Sequence, residues 1–196
     1  MLTCFKKSSD QLCAALASAA RSLCGHTTVD LSVLTAARLI PLDKNPIVRP
    51  IAVGEVFRRI ICKAVMRVIE GDVLHCAAPL QLCVGVPSAC EAAVHAMDNL
   101  FGCPSVQGIL QIDASNAFNS LNRIAALHNI QWTCPALPQV FENTYAKPVR
   151  LFVDSKEILS KEGTCQGDPL AMAAYAVATV PLIKQLERTC PATTQC

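Results

Sequence analysis

Charge is scarce in this chain. Asp, Glu, Lys and Arg together make up 16% of its 196 residues, against 52% hydrophobic residues. So little charge excludes a disordered polyelectrolyte and points to a chain that buries a core. Long apolar runs are missing too: none approaches the ~20 residues of a membrane span, so no membrane partner is expected. No CxxC pair occurs among the twelve cysteines, and the even spacing of Cys76, Cys83 and Cys90 suits no zinc knuckle. Free, buried thiols in a reducing compartment, cytoplasm or nucleus, are the expectation. A formal net charge of +2 argues neither for nor against nucleic acid, because a local basic stripe can bind phosphates on a near-neutral protein. Two adjacent aspartates occur nowhere.

What is present is organised by helical and strand periodicity. Leu12, Ala15, Leu16, Ala19 and Leu23 predict an amphipathic helix closed by Gly25. The Ser-rich start suggests a presequence, but Asp10 and the lack of an Arg-rich face favour an ordinary helix. Asp30 can cap a short helix carrying Leu31, Leu34 and Ala37. Pro41 and Pro46 bracket a turn-rich loop that bears Lys44 and leads to Arg49. From Gly54 to Glu70, Phe57, Ile60, Ile61, Ala64, Val65 and Val68 predict one apolar helix face. Arg59, Lys63 and Arg67 stripe the other, with Arg58 alongside. Ser88 and Glu91 form the pattern of a capping box for a helix to about Phe101. His75, His95 and His128 lie far apart without carboxylates at ligand spacing, and read as ordinary core or surface histidines.

Two stretches carry the chemistry. In Gly108–Arg123, GILQIDASNAFNSLNR, a strand-forming run delivers Asp113 at its end. A carboxylate placed there can begin a turn or hold a hard cation, since Mg²⁺ takes one or two carboxylates and leaves its other positions to phosphates and water. A helix follows over Leu121–Ile130, then a loop with Trp132, Pro135 and Pro138. Val149–Val153 and Ile158–Lys161 predict a hairpin turning at Asp154–Glu157. The second stretch, GTCQGDPL at Gly163–Leu170, leaves that hairpin. Asp168 and Pro169 there suit an N-cap and first helical residue, opening a helix to about Arg188 that Pro181 should kink or end.

These two stretches, with RPIAVGEVFRRI from Arg49 to Ile60, resemble reverse transcriptases of non-LTR retrotransposons. Group II intron relatives are more distant cousins. The likeness runs from about Leu39 to the C-terminus, and Gln166-Gly167-Asp168-Pro169 is its most specific part. It implies a helix-rich α/β fold: an N-terminal helical segment at 1–38, fingers at about 39–105, an incomplete palm at about 106–196, and no thumb. It implies RNA-directed DNA polymerisation by two Mg²⁺ ions, with an RNA template, a DNA primer and deoxynucleoside triphosphates as partners. Asp113 and the carbonyl of Ala114 would be metal ligands. Lys44 and Arg49 would grip the triphosphate, with Phe118 under the sugar and Gln166 and Gly167 shaping the pocket. Arg59, Lys63 and Arg67 would track the template. The family's second acidic element, two adjacent acids on a hairpin after the Asp168 helix, is not matched. A piece of a longer enzyme, inactive alone, is therefore expected. A non-catalytic nucleic-acid-binding module and a decayed, inactive product are the alternatives.

Overall fold

Of the expected apolar stripe, Leu12, Leu16, Ala19 and Leu23 form the inner side of α1 (Asp10–Cys24), with Leu23 buried, while Ala15 is exposed; Gly25 follows as a bend. The computed structural model describes residues 10–25, 31–78, 80–82 and 84–189, the side chains of Lys44 and Ile47 excepted. The Asp30 cap lies outside the described residues. Helix α2 spans Ser32–Thr35, and Ala37, expected on it, instead opens β1 (Ala37–Lys44).

Strand β1 pairs antiparallel with β2 (Ile47–Gly54), Leu42 opposite Arg49 and Lys44 opposite Ile47. The expected turn-rich loop is therefore mostly strand, its turn reduced to Asn45 and Pro46. Prolines fit because β3 pairs with β1 only at Ala37 and Arg38, so no ladder on that edge needs the missing N–H of Pro41. Strands β3 (Val149–Val153) and β4 (Lys156–Ser160) complete one sheet of order β2-β1-β3-β4. Their turn is Asp154 and Ser155 alone. Lys156 and Glu157, expected in the turn, are in β4, where Arg150 and Glu157 form an exposed cross-strand ion pair.

Helix α3 (Val56–Ala77) supplies much of the core through Ile61, Cys62, Val65, Ile69, Val73 and Ala77. The expected face was partly wrong: Phe57, Ile60, Ala64 and Val68 are exposed. Apolar residues stand on more than one side of the helix, Ile60 and Val68 as well as Ile61 and Val65, and packing against α1 and the last helix chose which of them are buried. Helix α4 (Ala89–Phe101) begins without the expected capping box, because Ser88 has φ 54 and its side chain makes no cap bond. An N-cap serine reaches the N2 or N3 amide from an extended backbone.

Short α5 (Ala117–Ser120) precedes α6 (Arg123–Thr133), where the Asn122 side chain accepts from the Ala125 amide as a cap. The expected loop after α6 holds another helix, α7 (Pro138–Tyr145), with Pro138 in its first turn and Trp132 still in α6. The last helix, α8 (Ala171–Thr189), packs an alanine-rich face on α6. It continues through Pro181 instead of ending there, and the close packing before the proline holds it across the lost hydrogen bond.

The sheet's buried face and the helices share one core, in which Phe141, Tyr145, Ile130, Leu137 and Leu170 are fully covered. No described helix is long and apolar enough to cross a membrane. Of the eight described cysteines only Cys62 and Cys134 are buried; Cys13, Cys24, Cys90 and Cys103 are exposed.

Candidate functional site

The three distant stretches meet around the turn Cys165–Asp168. On one side, the Gly163 amide donates to Leu121 O (2.8 Å) and the Thr164 amide to Phe118 O (2.6 Å), tying the turn to the segment after Asp113. On the other, the Ala52 amide of β2 donates to Gln166 O (2.8 Å). Both glycines are required. Gly163 has φ +67, and a Cβ there would stand 2.2 Å from Asn119 backbone atoms; Gly167 has φ +100, and a Cβ would meet Ala52 O at 2.8 Å.

Behind the turn lies a buried polar hub. Arg58 Nη2 donates to Asp168 Oδ2 at 2.6 Å, with side chains 6% and 2% exposed. The Tyr145 hydroxyl also donates to Asp168 Oδ2 and accepts from the Cys165 amide at 3.2 Å. Asp168 Oδ1 accepts from the Leu170 amide at 3.0 Å. The expected cap at Asp168 holds in part: Oδ1 takes the Leu170 amide just before the helix, but α8 begins only at Ala171, and Oδ2 faces inward to Arg58 and Tyr145. Burial, then the Asp168 charge, push the Tyr145 phenol well up. Beside the hub is a cavity of only about 10 Å³, room for about one water.

A second buried arginine braces the other end. Arg123 donates to Gly163 O (2.8 Å), Ser160 Oγ (3.0 Å) and the carbonyls of Glu162, Tyr145 and Lys147, and lies over the Tyr145 ring. Burial without a carboxylate partner in hydrogen-bond contact lowers its pKa. Neither Arg58, Arg123 nor Tyr145 stood out as a site residue in the sequence. Arg58 stands four residues before Cys62 on the buried side of α3, a side that the sequence does not mark as buried.

The expected site residues divide. Gln166 and Gly167 sit on the turn, and Gln166 Oε1 is buried with no hydrogen-bond partner among the described residues. Phe118 is half-buried and packs on Tyr175, centroids 5.2 Å apart. Arg49 is exposed on β2, and Lys44 is the last residue of β1, its side chain outside the described atoms. Lys63 and Arg67 are exposed and Arg59 half-buried, so the basic stripe does face outward while Arg58 does not.

Asp113 is where expectation and structure part. The run Gly108–Ile112 is not a strand; it is irregular, with Leu110 85% and Ile112 75% exposed, and Asp113 and Ala114 are exposed with it. A strand needs a neighbour for its amides and carbonyls, and no described strand flanks this run. Nor do the described residues gather three His, Cys, Asp or Glu side chains that could hold a metal ion. Asp168 is engaged by Arg58, and Glu142 lies exposed on α7. The residues implied as metal ligands do not by themselves form a two-metal site. A groove of about 390 Å³ between α6, α7 and the Lys161–Glu162 segment lies away from Asp113 and Gln166. No protein-family model matches the chain, and comparison with curated proteins finds no match.

Proposed function

We propose that the chain is the fingers and the first part of the palm of an RNA-directed DNA polymerase of the non-LTR retrotransposon type, inactive as these 196 residues alone. One observation carries the reading: Arg49–Ile60, the Asp113–Arg123 stretch and Gly163–Leu170 converge on one turn through Ala52–Gln166, Phe118–Thr164 and Arg58–Asp168 contacts. The reading draws its support from the fact that these three stretches, which carry the resemblance, are the ones that meet there.

In this reading Arg49 and Lys44 grip the triphosphate, and Phe118, braced by Tyr175, lies under the sugar. Gln166 hydrogen-bonds the nucleotide once its side chain, whose Oε1 is buried here without a partner among the described residues, turns outward, and Gly167 lets backbone approach closely. Asp113 supplies one carboxylate of an Mg²⁺ site that needs further ligands. Arg59, Lys63 and Arg67 face the RNA template, and the protein works in the cytoplasm or nucleus. The exposed Lys63 and Arg67 also support a second reading, a nucleic-acid-binding module without catalysis. Salt-dependent RNA binding that survives Asp113→Ala, with no nucleotide binding, selects it.

The test is titration of the chain with a fluorescent deoxynucleoside triphosphate. Binding is expected, weakened about tenfold or more by Arg49→Ala as one charge-assisted contact is lost, with the melting temperature unchanged. Absence of binding, or a loss seen only as a lower melting temperature, overturns the assignment.

A further inference from the structure

Replacing a buried ion pair by apolar side chains of similar size is often neutral or stabilising, so the Arg58–Asp168 pair is poorly explained as a source of stability. Its directionality suggests another role. Asp168 Oδ2 receives Arg58 from α3 and Tyr145 from α7, Oδ1 receives the Leu170 amide, and the Tyr145 oxygen receives the Cys165 amide. The Asp168 amide closes the turn on Cys165 O at 3.0 Å. Both ends of the four-residue turn are thereby pinned from behind, and its two middle residues, Gln166 and Gly167, project toward β2.

At β2 the tolerance is small. Gln166 O must meet the Ala52 amide while the Gly167 Cα passes so close to Ala52 O that no Cβ fits. An apolar pair would fill the same space without fixing the turn's rotation. We infer that Asp168, held by Arg58 and Tyr145, is a positioning residue that sets the register of the Gln166–Gly167 turn against Ala52. It thereby aims the Gln166 side chain; only that aiming role rests on the nucleotide-binding reading above.

The experiment compares Arg58→Met, Asp168→Asn and the double variant in the 196-residue chain. It follows melting temperature, hydrogen exchange at the Ala52 and Cys165 amides, and deoxynucleotide affinity. Each single variant leaves a buried group without its partner and is expected to lower the melting temperature. The double variant removes both charges and recovers most of it. If the pair positions the turn, the double variant still exchanges its Ala52 amide about tenfold faster than wild type, while core amides of α8 return to wild-type protection. Nucleotide affinity falls with it. Ala52 protection regained together with the melting temperature overturns the proposal. Wild-type protein that protects Ala52 but binds no nucleotide leaves the positioning role standing and removes the nucleotide reading instead.

Discussion

Arg58 and Asp168 lie 110 residues apart in sequence and meet at 2.6 Å inside the protein. The contact joins the helix that follows the Arg49–Ala52 strand to the turn that precedes α8. It ties together two stretches that are distant in sequence. Asp168 is thereby removed from any list of metal ligands, because its carboxylate already accepts from Arg58 of α3, Tyr145 of α7 and the Leu170 amide.

Three buried or half-buried thiols set an alkaline limit on stability. Burial, the largest cause in each case, pushes Cys62, Cys134 and Cys165 up to about 11 from an ordinary 9.0, even though Arg58 pulls Cys62 down. The unfolded chain releases these protons first, so their contribution is complete below about pH 9 and is lost as pH rises toward 11. Urea-unfolding free energy is expected to fall over that window, with the fall made shallower by Cys134→Ala. A flat profile from pH 8 to 11 would show that these thiols do not titrate with folding.

Gly163→Ala should destabilise by about 2 kcal/mol or more, since φ +67 and a 2.2 Å approach to Asn119 backbone leave nothing flexible to move. Gly71→Ala, where nothing lies within 4 Å, is the control and should be neutral or stabilising. Equal melting temperatures for the two variants would contradict the placement of the Gly163 loop.

The two halves of the chain differ in how much their sequence disclosed. The Val149–Ser160 hairpin, α1 and α8 were legible because their signals are local: alternation, stripes and turn residues. The Arg49 hairpin has the sequence of a loop because two prolines hide a strand whose open edge tolerates them. The buried side of α3 is not marked in the sequence, since apolar residues stand on more than one of its sides and tertiary packing selects among them. The polar hub was illegible because an ion pair across 110 residues leaves no periodic trace. The Gly108–Ile112 run shows the opposite failure: β-propensity was present, but propensity without a partner strand does not make a sheet.

Phe118 is expected to act as a steric gate for the sugar in a chain joined to an acid-bearing hairpin and thumb. Phe118→Val should raise ribonucleotide relative to deoxyribonucleotide incorporation, while loss of the contact with Tyr175 lowers stability by about 0.5–1.5 kcal/mol. Competing single-nucleotide insertions measure the ratio. Unchanged discrimination with the expected loss of stability would leave Phe118 as a core residue only.

Primer extension on an RNA template in Mg²⁺ tests the central claim most directly. The 196 residues, their fusion to an acid-bearing hairpin and thumb, and that fusion carrying Asp113→Asn are compared side by side. A two-metal centre holds its ions about 3.5–4 Å apart with carboxylates from more than one segment, and the described residues gather no such group. The account predicts extension by the fusion alone. Extension by the 196 residues themselves, or by the Asp113→Asn fusion, would contradict it.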